Sequence, residues 1–310
     1  MSKILRAMVA AGLIAGALLT AAGLFAYWRP ALDIVNDGLP VLTAGCLALL
    51  GLTFATGKRT LIGAAAILVA VNFALLLTGL TGMAPEATAG SERFLRVATF
   101  NLWGPNDHAN RIETFLTDTD PDAIVLEEVR QHHRAFLDDL GRRYPHRSGE
   151  DGLVILSKYP ILADGRVERA DFPSWMSIIV RWVRLDVNGT QVELAGVHLA
   201  RPFYPELQQA DIGGLTQFVQ GRKDPLILAG DFNMAPWTWK LKGFTRATGL
   251  RRYNTFHPTW PMQWRGVPLL PLVPIDNVFT SPHFTSMGTM VGPRLGSDHR
   301  PVIADIARSE

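Results

Sequence analysis

Three apolar runs, about Leu5–Ala26, Leu39–Thr56 and Leu61–Leu80, occupy most of the first eighty residues. Crossing the hydrocarbon of a bilayer takes ~20 apolar residues, with a usual range of ~17–25. The first and third runs meet that length and the second sits near its short end. No charge lies in their interiors, and Asn72 is the one strongly polar side chain, suited to a hydrogen bond with a neighbouring helix. Residues 1–82 therefore read as a membrane anchor of three transmembrane helices, with the bilayer as partner. Lys3 and Arg6 flank the first run, and Lys58 with Arg59 fill the turn between the second and third. The positive-inside rule puts both on the cytoplasmic side, so the Trp28–Gly38 loop and everything after Gly82 are expected outside an inner (plasma) membrane. Arg29 opposes this, but Asp33 and Asp37 share its loop. A cleaved signal peptide over residues 1–26 is the alternative; the run is long for one, and no small-x-small cleavage site follows it.

Residues 83–92 are polar and contain Gly, Pro and Ala, the character of a linker. The remaining 93–310 form one domain large enough for a core. Of the 30 basic and 28 acidic residues, five and three fall in 1–90, which leaves 25 of each afterwards. A neutral domain does not advertise a polyanion-coated surface. The single cysteine, Cys46, lies in an apolar run, which excludes an intramolecular disulfide and a cysteine metal site.

Within that domain, short apolar strands end in polar residues. Arg93–Leu102, Ala123–Leu126, Leu153–Leu156, Leu226–Ala229, Ile275–Thr280 and Pro301–Ile306 read as strands. Asn110–Asp118, Gln131–Arg143 and Pro205–Val219 read as helices. Ile178–Val187 and Gln191–Val197 flank Asn188-Gly189, a dipeptide suited to a type I′ hairpin turn. Helices interspersed with strands, plus a hairpin, argue against a purely parallel sheet. The expected fold is α/β: two mixed β-sheets packed face to face with helices outside, a four-layer sandwich preceded by the three transmembrane helices.

Six strand ends carry the chemistry: Thr99-Phe100-Asn101, Leu126-Glu127-Glu128-Val129, Gly196-Val197-His198-Leu199, Gly230-Asp231-Phe232-Asn233, Ile275-Asp276-Asn277-Val278-Phe279 and Gly296-Ser297-Asp298-His299-Arg300-Pro301-Val302. In this order they resemble the endonuclease/exonuclease/phosphatase superfamily over about residues 94–307. That superfamily includes deoxyribonuclease-like nucleases, abasic-site endonucleases, bacterial sphingomyelinases and inositol-polyphosphate 5-phosphatases. The resemblance implies metal-dependent hydrolysis of a phosphoester with Mg²⁺ or Mn²⁺. The chemistry independently asks for a hard cation, an in-line water and donors around the phosphoryl oxygens.

The resemblance implies Glu128 as metal ligand, with Asn101 beside the metal and Asp298 helping to hold it. His299 is the candidate general base, oriented by Asp276 as in hydrolytic triads. Asp231 and Asn233 are expected at the nucleophilic water and a phosphoryl oxygen, and His198 at the phosphate or leaving group. Glu127 should point away from Glu128 by strand alternation and is left out of the site. His132 and His133, without motif support, are expected at the surface. Loop aromatics (Phe172, Trp175, Phe203, Tyr204, Trp237, Trp239, Trp260 and Trp264) could rim the pocket or fill the core; Trp237 and Trp260, with Arg201, are the substrate-binding candidates. There is no basic helix by the site and no tyrosine in the abasic-endonuclease context. The expected substrate is therefore a phosphoester at the outer membrane face, a membrane lipid among the candidates. A nuclease on DNA or RNA and an inactive membrane-anchored binding module are the alternatives.

Overall fold

The computed structural model describes residues 3–169, 177–253 and 256–309. Three helices, α1 (Lys3–Phe25), α2 (Leu39–Thr56) and α3 (Arg59–Leu77), open the chain and are long and apolar enough to cross a membrane. They pack through Val9, Leu13, Cys46, Ala65 and Leu68, while side chains such as Ile4, Leu18, Phe54 and Ile67 stay exposed on the outside. Asn72 bonds to Thr20 of α1 at 2.9 Å, which satisfies a polar group that lipid could not. Between α1 and α2, residues Pro30–Asp37 form a 3-10 turn followed by one helical turn.

Fourteen strands follow among the described residues, twelve of them in two six-stranded sheets. The first sheet has the order β13-β14-β1-β2-β4-β3, built from β1 (Leu95–Asn101), β2 (Ala123–Val129), β3 (His146–Ser148), β4 (Gly152–Ser157), β13 (Phe284–Val291) and β14 (Val302–Arg308). The second runs β5-β6-β7-β8-β12-β9, from β5 (Ile161–Glu168), β6 (Ile178–Val187), β7 (Thr190–His198), β8 (Leu226–Asp231), β9 (Arg251–Arg252) and β12 (Asp276–Thr280). Strands β10 (Gln263–Trp264) and β11 (Val267–Pro268) make a separate hairpin. Each six-stranded sheet is mixed: β1–β2 and β7–β8 are parallel and the other pairs antiparallel. Val97, Val125, Val183, Leu194, Ile227 and Val278 interleave between the sheets. Helices α4 (Ala109–Thr119) and α5 (Arg134–Leu140) cover the outer face of the first sheet, and α6 (Pro205–Gln220) and α7 (Trp239–Thr248) that of the second. This is the four-layer arrangement expected from the sequence.

The parallel pairs put the C-terminal ends of β1, β2, β7 and β8 at one rim of the sandwich. Register fixes the neighbours there: Asn101 lies opposite Glu127, His198 opposite Asp231, and Asp231 opposite Asp276.

Residues 83–87, expected as a linker, are hydrogen-bonded to the sandwich. Ala84 N donates to Arg252 O at 2.8 Å and Ala87 N to Ser286 O at 2.8 Å. The Pro30–Asp37 turn also packs on the domain, beside α7.

Candidate active site

The local backbone aims the functional groups. Glu128 (φ 55°), Asn233 (φ 50°) and Trp103 (φ 59°) all occupy the left-handed region that non-glycine residues rarely adopt. Gly230 has φ 152°, and a Cβ there would lie 2.0 Å from Val197 O, so β8 can approach β7 this closely only with glycine at that position. At Glu128 the alternation of β2 breaks, with the register to β4 shifting between Leu126 and Val129. That break corrects the expectation for Glu127. Its carboxylate is fully buried between the sheets, accepts Thr99 Oγ1 at 2.6 Å, and forms the floor under the site rather than pointing away. Burial pushes Glu127 well above the usual carboxylate range, and Asp276 and Asp231 add to the rise.

Asp231 is the hub. Asn101 Nδ2 donates to its Oδ2 at 3.2 Å and Asn233 Nδ2 at 3.0 Å, and Asn233 N reaches its Oδ1 at 2.8 Å. His198 Nε2 and His299 Nε2 stand 3.9 and 3.8 Å from the same Oδ2. His299 Nδ1 meets both oxygens of Asp276, at 2.9 and 3.1 Å, with both residues buried. This contact fixes Nδ1 as the protonated nitrogen and turns Nε2 toward Asp231. Ser297 Oγ donates to Asn101 O at 2.7 Å and accepts His299 N at 3.0 Å, which ties the first and last motifs together.

Glu128 faces this cluster. Its Oε2 accepts Gly104 N at 3.0 Å; its Oε1 lies 3.5 Å from Asn101 Nδ2, 3.4 Å from Arg201 Nη2 and 3.9 Å from His198 Nε2. Burial alone would raise Glu128, but His198, the Gly104 amide and Arg201 outweigh it and hold the carboxyl at about 2. Asp298 Oδ2 is 3.4 Å from Trp260 Nε1, and burial raises this carboxyl. Its Oδ1 is buried, 4.0 Å from His299 Nε2, with no hydrogen-bond partner among the described residues.

Charge is concentrated enough to move protons. Burial would depress His299, yet Asp276, Asp231 and Asp298 lift it to about 10. Burial, with Asp276 adding to it, pushes Asp231 up to about 7. Burial depresses His198 to about 4, so that it is neutral at physiological pH. The His299 imidazolium is thus the resting form among unneutralised carboxylates, and added positive charge would lower it toward the range of a general base.

A cation fits this donor set. Asp231, Asp276 and His299 each bring a donor atom within 4.8 Å of the others. Asp276 is engaged with Nδ1 and Asn101 Oδ1 with the Trp103 amide, whereas Asp298 Oδ1, beside them, has no hydrogen-bond partner among the described residues and can accept a positive group. Hard oxygen donors with few protein ligands suit Mg²⁺ or Mn²⁺.

The rim thus gathers Asn101, Glu128, His198, Arg201, Asp231, Asn233, Trp260, Asp276, Asp298 and His299. The Exo_endo_phos model, described as the Endonuclease/Exonuclease/phosphatase family, matches residues 98–299. The chain belongs to this family. Family members are generally metal-dependent hydrolases acting on phosphoesters. No curated protein matches the chain significantly in sequence. Solved structures share the fold. An endonuclease/exonuclease/phosphatase from Beutenbergia cavernae matches with 22% identity and TM-score 0.57 over 70% of this chain and 72% of its own. TDP2 from D. rerio, complexed with a single-strand DNA product, has 17% identity and TM-score 0.58 over 68% and 98%. A beta toxin mutant from Staphylococcus aureus with bound magnesium ions has 16% identity and TM-score 0.54 over 68% and 99%.

Two further expectations from the sequence fail. Trp237 is 3% exposed and sits in the interior: its Nε1 donates to Asn36 O at 2.6 Å, and it packs with Leu39, Ala235, Val273 and Ile275. His133 is buried, with Nε2 2.8 Å from Asn106 O and Nδ1 accepting Arg130 N, because the 3-10 turn over Gln131–His133 rotates it inward. Trp239 likewise turns to the end of α1, donating Nε1 to Gly23 O at 3.0 Å. Phe203 and Tyr204 are exposed. Phe172 and Trp175, and the side chain of Trp264, lie outside the described residues. Beyond Glu127, the sequence reading missed the Gly104 amide on Glu128 and Gln208, whose Nε2 donates to Asn233 O at 2.9 Å. A backbone amide has no signature in the sequence, and Gln208 is one polar residue on an amphipathic helix.

Proposed function

We propose that the protein is a multi-pass membrane phosphoesterase whose catalytic domain hydrolyses a phosphodiester or phosphomonoester at the outer face of the inner membrane. The observation that carries this reading is the buried Asp276–His299 pair, at 2.9 Å, with Nε2 turned toward Asp231 and Asp298 at the rim. His299 is the base that takes the proton of the attacking water at Nε2, and Asp276 holds the imidazolium that results. Asp231, fixed by Asn101 and Asn233, orients that water. Arg201 and the neutral His198 donate to phosphoryl or leaving-group oxygens. Glu128, Asn101 and Asp298 are the residues that would hold Mg²⁺ or Mn²⁺, which when bound supplies neutralising charge for the phosphate. Trp260, hydrogen-bonded to Asp298, borders the substrate.

The contact between the anchor and the domain supports a membrane-derived phosphoester, since the site is carried at a short, set distance from the apolar helices. The nuclease reading draws on the D. rerio TDP2 complex with its DNA product. An inactive binding module fits poorly, because a bare binding surface does not require a histidine locked by a buried carboxylate. The full chain in detergent, with Mg²⁺ or Mn²⁺, should hydrolyse a member of a panel spanning phospholipids, small phosphoesters and oligonucleotides. No turnover on any of them would overturn the assignment. For placement, a periplasm-dependent reporter fused after residue 310 should be active and a cytoplasm-dependent one silent; the reverse pattern would refute the orientation.

A further inference from the structure

We propose that the Pro30–Asp37 turn between the first two apolar helices is a positioning element of the active site, with Asp33 and Asp37 holding the loop that follows Asp231 and Asn233. The activity half of this inference rests on the phosphoesterase reading; the structural half does not.

Residues Phe232–Thr238 are buried and belong to no helix or strand, so their backbone polar groups need partners from elsewhere. Ile275, Asp231 and Gln208 supply some of them, and the anchor supplies others. Asp37 Oδ1 accepts Ala235 N at 2.9 Å. Asp33 accepts Trp239 N at 3.1 Å and Lys240 N at 2.9 Å, two amides in the first turn of α7 that have no partner within the helix. Asn36 Nδ2 donates to Asp33 Oδ1 at 2.7 Å and to Gly23 O at 3.0 Å, fixing that carboxylate against the end of α1. The Trp237 and Trp239 indoles add bonds to Asn36 O and Gly23 O, so the Ala235 and Trp239 amides and both indoles are all held by the anchor.

The loop connects to the chemistry in two residues. Asn233, in its left-handed conformation, orients Asp231 through two hydrogen bonds. From the other side Gln208 binds Asn233 O, and its own Oε1 accepts Lys240 Nζ at 2.7 Å. Lys240 N is in turn on Asp33, so Asn233 is gripped between Gln208 and a segment the anchor holds. A strained residue persists only when its surroundings over-determine it. Asn233 also donates to Leu199 O at 2.9 Å, so release of Ala235 and the start of α7 loosens one side of that constraint; displacements of ~1 Å in an active site cost up to ~10²-fold in rate.

Asp37 acts as an acceptor rather than as a charge. It is half-buried, with Asp33 and Lys240 as the charged groups facing it, and desolvation pushes its carboxyl up to about 8. An asparagine oxygen can take the same amide.

The test uses the full chain in detergent micelles with Mg²⁺, reading bis(p-nitrophenyl) phosphate hydrolysis and amide hydrogen exchange across residues 230–240. Asp37→Ala, and more strongly Asp33→Ala/Asp37→Ala, should speed exchange at Ala235, Trp239 and Lys240 by about tenfold. The same variants should lower kcat by about tenfold or more, with KM and the Mg²⁺ requirement within about twofold. Asp37→Asn should restore both to near wild type. Unchanged exchange in the alanine variants overturns the proposal whatever the turnover. Faster exchange with full kcat overturns the positioning role. A wild type that hydrolyses nothing sinks the phosphoesterase reading and leaves the exchange measurement to decide the docking alone.

Discussion

Replacing Asp276 with Asn removes one charge from a pair at 2.9 Å and leaves its shape in place. Two unit charges at that distance interact by ~6 kcal/mol at an effective dielectric constant of ~20, equivalent to ~4 pKa units. His299, lifted to about 10 chiefly by Asp276 against the downward pull of burial, should therefore titrate near or below neutrality in Asp276→Asn. The sign is fixed: loss of a carboxylate destabilises the imidazolium, so the pKa falls. For the metal-free protein, the linkage runs the same way. A histidine raised in the folded state contributes stability that is complete below its unfolded pKa, near 6.5, and lost as pH rises toward about 10. The variant should lack that pH-dependent contribution. Catalysis should fall by ~10²–10⁴-fold even though more of the imidazole is deprotonated at neutral pH, because Asn can present its NH₂ to Nδ1 and stabilise the wrong tautomer. NMR titration of labelled histidines, with the His299 signal identified by its loss in His299→Gln, gives the pKa, and phosphodiester turnover gives the rate. An unmoved titration, or wild-type kcat with a shifted one, would refute the reasoning.

Three further outcomes are expected. Glu128→Ala should lower kcat well over tenfold and raise the Mg²⁺ or Mn²⁺ concentration for half activity, since it removes the carboxylate held at about 2 by His198, Gly104 and Arg201; a metal titration reads both. Trp237→Ala should cost ~3–5 kcal/mol in unfolding of the full chain in detergent, through lost packing and the lost bond to Asn36 O, while KM changes little. Turnover on the best substrate should change only a few-fold between low and physiological ionic strength, whereas a nuclease gripping several phosphates would show a log–log salt slope of ~0.7–0.9 per phosphate.

The strand ends were legible because each motif pairs a buried apolar run with a polar stop. Gly230 shows why such a motif cannot drift: a side chain would strike Val197 O. The strand pattern also implied two sheets, given the Asn188-Gly189 hairpin. Strand β5 escaped notice because an edge strand bearing Asp164, Gly165 and Arg166 lacks an apolar signature. Helix α7 escaped because its start is capped by Thr238 and by Asp33, a residue some two hundred positions earlier. Glu127 was misplaced by strict alternation, which fails where Glu128 turns left-handed. Trp237 was misassigned for a reason no local pattern contains: the chain's first turn comes back to cover it.

The segment at residues 83–87 has a consequence for solubility. It bonds to Arg252 on β9 and to Ser286 on β13, the outermost strand at one side of each sheet. Unpaired strand edges invite pairing with another chain, and natural proteins cover them. Here the stretch that leaves the apolar helices doubles as a hem sewn across two raw edges. A version of the domain trimmed to begin at residue 91 would expose both, and should self-associate where the full chain stays dispersed.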